Sequence, residues 1–169
     1  MFSSSTSELD PVHPPFQRSA APNESGDRRV SMKMEFLPGV SFRNHLSLLI
    51  WQPRGILDQP HVEKIIAMLE GAEDEAEKPF ERYSDLSKLD QVDLSLAYVF
   101  KVSLYRRAVY GDRTPVKSAF YVEESDTAQV ALTHAAVTAQ SPLQVQVFLR
   151  KNAAAEWLGV SLSDLEVDR

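Results

Sequence analysis

The chain has 169 residues, of which 43% are hydrophobic and 25% are charged, and it contains no cysteine. The lack of cysteine excludes disulfides, Cys-ligated metal sites and thiol catalysis, and the formal net charge of −6 argues against general affinity for nucleic acid or anionic membranes. No stretch approaches the roughly 18 uninterrupted apolar residues of a membrane span, so we expect a cytoplasmic protein without one.

Residues 1–33 differ in composition from the rest of the chain. They are rich in serine and proline and poor in aliphatic residues, so they cannot bury enough apolar surface to offset the entropy of ordering. We expect a disordered N-terminal tail at residues 1–33 and one folded domain at residues 34–169, which is long enough to bury a substantial core.

Two strand-like runs open the predicted domain. Val40–Arg43 and residues 46–52 are rich in apolar side chains, and Asn44-His45 between them fits a tight hairpin turn. Arg54 follows the second run, where loops at the carboxyl edge of a parallel sheet form ligand crevices. Arg54 is therefore a candidate ligand-binding residue for an anion, although an arginine beside a turn is more often an ordinary surface residue.

A helix start follows directly. Asp58 is a natural N-cap, and Pro60 lies in the first turn, where its missing N–H costs nothing. Apolar residues then recur at spacings of three and four, which predicts a helix that packs on the sheet and stops at Gly71. Residues 70–78 are mostly acidic; we interpret them as a solvated connection, with an acidic partner site as the alternative.

The next segment predicts a strand followed by a second helix. Residues 80–85 alternate in polarity, and Asp93 precedes a run with helical spacing, so Asp93 is the predicted N-cap. Ser95 then lies in the first turn, where the helix dipole favours negative charge and a phosphate would be tolerated. Arg106 and Arg107 are interpreted as a solvated helix end, with phosphate or an acidic partner as the alternative. The predicted apolar stripe comprises Leu96, Val99, Phe100, Leu104 and Ala108.

The remainder of the chain alternates strand and helix. The predicted elements are a strand at residues 116–122, a helix from Ser125 or Asp126 to about Gln140, a strand at Leu143–Phe148, and a helix at residues 152–158 that ends at Gly159. The whole order predicts an α/β fold with a mixed, mostly parallel sheet, an N-terminal β-hairpin and about four helices.

Three segments resemble the STAS superfamily, the fold of anti-sigma factor antagonists. They are GILDQPHVEKII at residues 55–66, TPVKSAFYV at residues 114–122 and LQVQVFLRKNAAAEWLGV at residues 143–160. More narrowly, they are similar to the bacterial STAS/SEC14-like branch, whose members commonly close with a strand, a phenylalanine and an alanine-rich helix ending in Trp-Leu. The resemblance covers about residues 40–160 and implies a fold rather than one function, because one fold hosts many roles.

The resemblance also singles out one serine. In anti-sigma factor antagonists a strand ends in Asp-Leu-Ser, five residues follow, and the second serine of the next motif, Asp-Ser-Ser-Gly, is phosphorylated by a partner kinase. Residues 85–87 and residues 93–96 of this chain match that spacing without a gap, which places Ser95 at the phospho-acceptor position. The second and fourth residues of the motif are leucines here. The alternative is that Ser95 only occupies the first turn of a helix.

No catalytic or metal-binding motif stands out in the sequence. There is no Gly-x-Ser-x-Gly and no glycine-rich phosphate loop, and the four histidines lack the spacing of a metal site. We therefore expect no enzyme, no cofactor and no metal. The prediction is a non-enzymatic regulatory or protein-interaction module, phospho-switched at Ser95, with an unidentified protein partner; self-association as a homodimer stays open.

The alternative function is a carrier or sensor of a small apolar or lipid-like ligand, which the SEC14-like label implies. The two functions predict different interiors. A cavity lined by Leu48, Ile50, Val99 and Phe100 would favour the carrier, whereas a filled core with an exposed helix start at Ser95 would favour the switch.

Overall fold

The structure is a computed structural model that describes residues 37–166, which contain seven strands and four α-helices. The strands are β1 (Val40–Arg43), β2 (Leu48–Trp51), β3 (Gly55–Asp58), β4 (Glu81–Asp85), β5 (Leu89–Asp93), β6 (Val116–Tyr121) and β7 (Leu143–Phe148). The helices are α1 (Gln59–Glu75), α2 (Leu96–Val109), α3 (Ser125–Thr138) and α4 (Lys151–Leu158). The predicted tail, residues 1–33, lies outside the described residues.

Five of the strands form one large sheet in the order β1-β2-β4-β6-β7. β1 runs antiparallel to β2, and β2, β4, β6 and β7 are parallel neighbours. Together with the four helices, this confirms the predicted α/β class with a mixed, mostly parallel sheet. The connection from β1 to β2 is a 3₁₀ turn at Asn44–Leu46, one residue longer than the predicted Asn44-His45 turn.

A second sheet pairs β3 with β5 in parallel. Neither strand is predicted from the sequence, because residues 53–55 have the composition of a turn and the LDQVD of β5 is too short and polar to show a clear alternation. The two segments become strands because their backbones pair with each other, with Leu57 opposite Val92 and Asp58 opposite Asp93.

The large sheet has two faces with different helical cover. Side chains alternate between the faces along each strand, so β4 directs Arg82 and Ser84 to the face covered by α1, α2 and α3. Tyr83 lies on the opposite face, where it packs in an apolar cluster with Ile50 and Ala154 of α4. The first face carries the cavity described below.

α1 begins where the sequence predicts and ends later. The Asp58 carboxylate accepts a hydrogen bond from the backbone N–H of His61 at 3.0 Å, which confirms the N-cap. The predicted stop at Gly71 is wrong, because the helix continues to Glu75. Ala72 is buried in an apolar cluster with side chains of β1 and β2, and this burial offsets the roughly 1 kcal/mol that a glycine inside a helix costs.

α2 begins two residues later than predicted. Its N-cap is Ser95, whose Oγ accepts a hydrogen bond from the backbone N–H of Tyr98 at 3.2 Å. The prediction of Asp93 as N-cap is wrong, because Asp93 is the last residue of β5 and pairs with Asp58 of β3. The chain stays extended past Asp93 and the helix starts only at Leu96, so the residue directly before it, Ser95, is the cap.

The predicted apolar stripe of α2 faces mostly outwards. Leu96, Phe100 and Leu104 are 45%, 51% and 45% exposed, and their spacing of four places them on one face. We call these three residues the outer stripe of α2. The buried residues of α2 are Val99, Val102, Ser103 and Arg106. The predicted stripe is therefore wrong except at Val99, since two polar residues take inward positions.

α3 and α4 differ little from the prediction. The N-cap of α3 is Glu124 rather than Ser125 or Asp126, and α4 ends before Gly159, whose φ of 77° suits a glycine, as predicted. Among residues 37–166, no helix combines the length and apolar character needed to cross a bilayer.

Candidate functional site

A cavity of about 130 Å³ lies between the large sheet and helices α1, α2 and α3. Most of its lining side chains are apolar; they include Leu49, Ile66, Val99, Val102, Phe120 and Ala131. An apolar cavity of about 150 Å³ accommodates benzene. The cavity therefore has room for a ligand of about six or seven non-hydrogen atoms.

The cavity is not the one whose lining by Leu48, Ile50, Val99 and Phe100 would favour the carrier. Leu48 and Ile50 pack in the cluster with α4, and Phe100 is exposed. Of those four residues only Val99 lines this cavity. The reason is the alternation of β2, in which Leu49 points to the cavity and its two neighbours point away.

Polar side chains reach the cavity from two strands and two helices. They are Arg82, Ser84 and Ser118 from the sheet, Ser103 and Arg106 from α2, and His134 from α3. A mostly apolar pocket with a few convergent polar groups is the usual form of a small-molecule site.

Ser103 and His134 are hydrogen-bonded to each other in the cavity wall. The Ser103 Oγ lies 2.7 Å from the Val99 carbonyl oxygen and 2.8 Å from His134 Nδ1. Its single proton serves one of these two acceptors, and the tautomer of His134 decides which.

The ring of His134 is kept neutral by its surroundings. Burial lowers its pKa to about 4, with further contributions from the nearby guanidinium groups of Arg106 and Arg82. His134 is therefore uncharged at pH 7.

Three arginines converge on one carboxylate beside the cavity. Arg82 Nη2 and Arg106 Nη2 both contact Glu73 Oε1, the second at 2.8 Å, and Arg113 Nη1 lies 2.9 Å from Glu73 Oε2. The Glu73 side chain is 6% exposed and that of Arg106 is 3% exposed. We call Glu73, Arg82, Arg106 and Arg113 the arginine cluster.

The cluster corrects two predictions. Residues 70–78 are not simply a solvated connection, because α1 continues through Glu73 and buries its carboxylate. Arg106 is not at a solvated helix end, because it lies on the buried face of α2 and pairs with Glu73 and Glu70. Burial of each charge is tolerated because its partner is buried with it.

The ring of Tyr110 packs against the three arginines of the arginine cluster. The guanidinium carbons of the three arginines lie 5.2 to 5.6 Å from its ring centroid, within cation–π distance. The Tyr110 hydroxyl accepts a hydrogen bond from Arg82, and burial raises the pKa of Tyr110. A second, polar pocket of about 450 Å³ is lined by residues of the arginine cluster and by Tyr110. Arg82 lines both this pocket and the apolar cavity.

Asp85, the first residue of the predicted Asp-Leu-Ser motif, is held by three side chains. Its carboxylate accepts hydrogen bonds from Gln52 Nε2 at 2.9 Å, Lys151 Nζ at 2.7 Å and Ser87 Oγ at 2.6 Å. Burial would raise the pKa of Asp85, but these hydrogen bonds lower it overall. Both carboxylate oxygens of Asp85 thus accept hydrogen bonds from side chains of this chain. These bonds connect the carboxyl ends of β2 and β4 to the start of α4.

The two site residues predicted from the sequence lie away from the cavity. Ser95 is exposed at the start of α2, and Arg54 is exposed between β2 and β3. Neither lines the cavity or the polar pocket. Phosphorylation of Ser95 and anion binding by Arg54 stay predictions.

The sequence patterns do not single out the polar residues of the cavity. One signal is available on α2, because Ser103 and Arg106 share the helical spacing of Val99 and therefore belong to the inward face. Arg82 and His134 give no such signal, since they come from distant segments that meet only in the folded chain.

Within the described residues, no three His, Asp or Glu side chains are grouped so that they could hold a metal ion. Comparison with protein-family models, with curated proteins and with solved structures gives no match for this chain. Its function is therefore inferred from the geometry of the cavity and of the surrounding surface.

Proposed function

We propose that this chain is a non-enzymatic module that binds a small apolar ligand in the cavity between the large sheet and α1, α2 and α3. The observation that supports the proposal is the cavity itself, about 130 Å³ in volume and lined mostly by apolar side chains. Protein interiors are normally packed with few voids larger than a water molecule. A ligand that fills this cavity would cover apolar side chains and stabilise the folded chain.

The proposal selects the carrier or sensor function that the SEC14-like resemblance implies, and it limits the ligand by size. A membrane phospholipid or a long-chain fatty acid is far larger than a ligand of about six or seven non-hydrogen atoms. We therefore propose a small molecule rather than a lipid.

Titration of the chain with benzene tests this proposal. We expect binding with a Kd on the order of 0.1–1 mM, since small apolar ligands gain limited free energy per atom. The backbone amide resonances of Val99 and Ala131, which line the cavity, should shift in two-dimensional NMR spectra. If these resonances do not move at the solubility limit of benzene, the cavity is not a ligand site.

A matched pair of variants on α3 separates cavity binding from surface binding. Ala131 is 2% exposed and lines the cavity, whereas Ala136 is exposed on the same helix. Ala131→Leu should fill part of the cavity and weaken benzene binding by about tenfold or more, which corresponds to about 1.4 kcal/mol. Ala136→Leu makes the same chemical change and should leave the affinity unchanged.

A second candidate function is supported by the outer stripe of α2. Leu96, Phe100 and Leu104 expose about half of their surface each, and a contiguous exposed apolar stripe on a helix is typical of a protein-interaction surface. Ser95 lies directly before the stripe as the N-cap. A phosphate there would place charge beside the stripe and alter its affinity for a partner, which is the regulatory role implied by the STAS resemblance.

Mass spectrometry of protein purified from its own cells tests this second function. We expect a phosphorylated fraction whose modification maps to Ser95, an exposed serine. Ser87 is a matched control. Its hydroxyl donates a hydrogen bond to Asp85, so we expect Ser87 to remain unmodified. Unmodified Ser95 in every growth condition would contradict the phospho-switch.

A further inference from the structure

The sheet face that lines the cavity has two serines among large side chains. Ser84 of β4 lies in register with Trp51 on one side and Phe120 on the other, and all three line the cavity. Ser118 of β6 also lines the cavity and lies beside Arg82 in the neighbouring row. Because serine is much smaller than these neighbours, the two positions leave space between the sheet and the helices.

The hydroxyls of Ser84 and Ser118 have no hydrogen-bond partner in the part of the chain that the structure describes. The two residues are 7% and 4% exposed. The fully buried side-chain atoms without a partner in this part are Ser41 Oγ, Arg82 Nε and Tyr83 Oη. Ser84 Oγ and Ser118 Oγ are not among them, so both keep some accessible surface. That surface opens into the cavity, because β4 and β6 are inner strands and three helices cover this face.

Two hydroxyls in an apolar wall favour a ligand with a polar group. A polar group that is withdrawn from bulk water without a partner is costly, and such groups are rare in native proteins. A serine hydroxyl has one proton to donate and can also accept. A hydroxyl on the ligand satisfies either role, because it can accept from the serine or donate to it.

The charges in the cavity wall are balanced within the chain. Among residues 37–166, Arg82 and Arg106 are the charged side chains in the lining. Arg82 pairs with Glu73, and Arg106 pairs with both Glu73 and Glu70. Each guanidinium therefore already has a carboxylate partner, which favours an uncharged ligand over an ion.

We propose that the cavity binds a small uncharged ligand with an apolar body and one hydroxyl group, which forms a hydrogen bond with Ser84 Oγ or Ser118 Oγ. This inference rests on the proposed ligand-binding function and names the class of ligand. The apolar body contacts lining side chains such as Trp51 and Phe120. The cavity volume limits the ligand to about seven non-hydrogen atoms, which is the size of phenol.

The first experiment compares toluene and phenol by calorimetry on the unmodified full chain at pH 7. The two probes have the same shape and differ by the exchange of a methyl group for a hydroxyl group. In a cavity without a hydrogen-bonding group, burial of the phenol hydroxyl weakens binding by about 10- to 100-fold relative to toluene. We expect phenol instead to bind within about threefold of toluene or more tightly. A larger deficit for phenol would overturn the inference.

Serine variants identify the groups that bind the phenol hydroxyl. The double variant Ser84→Ala/Ser118→Ala should weaken phenol binding by about tenfold or more, while toluene affinity stays within about threefold or rises. Ser41→Ala is the matched control, because it removes a buried hydroxyl of the same sheet that does not line the cavity. It should leave both affinities unchanged. A double variant that binds phenol as tightly as the unmodified chain would contradict the inference.

A crystal structure of the phenol complex tests the same contact without a variant, and it decides the question if the double variant does not fold. The phenol oxygen should lie within about 3.2 Å of Ser84 Oγ or Ser118 Oγ, and a position away from both serines would overturn the inference. If toluene binds and phenol is much weaker, this inference fails and the apolar-ligand function stands. If neither probe binds, both proposals fail.

Discussion

Replacing Glu73 with glutamine is expected to lower the free energy of unfolding by about 3–5 kcal/mol, the usual cost of removing one partner of a buried ion pair. The carboxylate of Glu73 contacts all three arginines of the cluster, and its side chain is 6% exposed. Glutamine keeps the volume but not the charge, so Arg82 and Arg106 would remain buried beside Tyr110 with too little negative charge. Urea denaturation followed by circular dichroism measures the change.

The matched control is Glu75→Gln, which removes the same charge from the last turn of the same helix. Glu75 is exposed, and surface substitutions of this kind usually change stability by less than about 0.5 kcal/mol. A loss below about 1 kcal/mol for Glu73→Gln would show that the arginine cluster behaves like a surface ion pair and that water reaches it.

Glu73 also shows why the sequence predicts the fold better than the site. The strands and helices of the large sheet follow from local patterns, such as the Asp58 N-cap and the alternation in β7, and these are confirmed. Glu73 lies in an acidic run that has the composition of a solvated linker. Its burial depends on arginines 9, 33 and 40 residues away in the chain, and no local pattern reports such distances.

The same limit explains the two errors on α2. The sequence predicts Asp93 as the N-cap because its residue type and spacing suit a cap, but pairing with β3 keeps the chain extended through Asp93, and α2 begins only at Leu96. The spacing of Leu96, Phe100 and Leu104 predicts an inward-facing stripe. The inward face instead carries Ser103 and Arg106, because the polar partners of these residues, His134 and Glu73, lie on neighbouring helices.

The stability of the chain is expected to fall with acidification because of His134. Its folded-state pKa is about 4, whereas an unfolded histidine titrates near 6.5. Between these values the unfolded chain binds more protons, so stability is present in full above about pH 6.5 and is lost as the pH falls towards about 4. The difference of pKa values corresponds to at most about 3 kcal/mol. Urea denaturation at a series of pH values between 7 and 4 measures this loss.

Two variants test whether His134 is the cause. His134→Gln keeps a hydrogen-bonding group for Ser103 but cannot be protonated, so its stability should fall less over the same pH range. Ser103→Ala keeps the histidine and removes only its hydrogen-bond partner, and it should retain the acid sensitivity because burial and the arginines depress the pKa. Carboxylates such as Asp85, whose pKa is lowered, contribute equally in all three proteins. An identical pH dependence in wild type and His134→Gln would show that the ring is solvated and that the arginines do not depress its pKa.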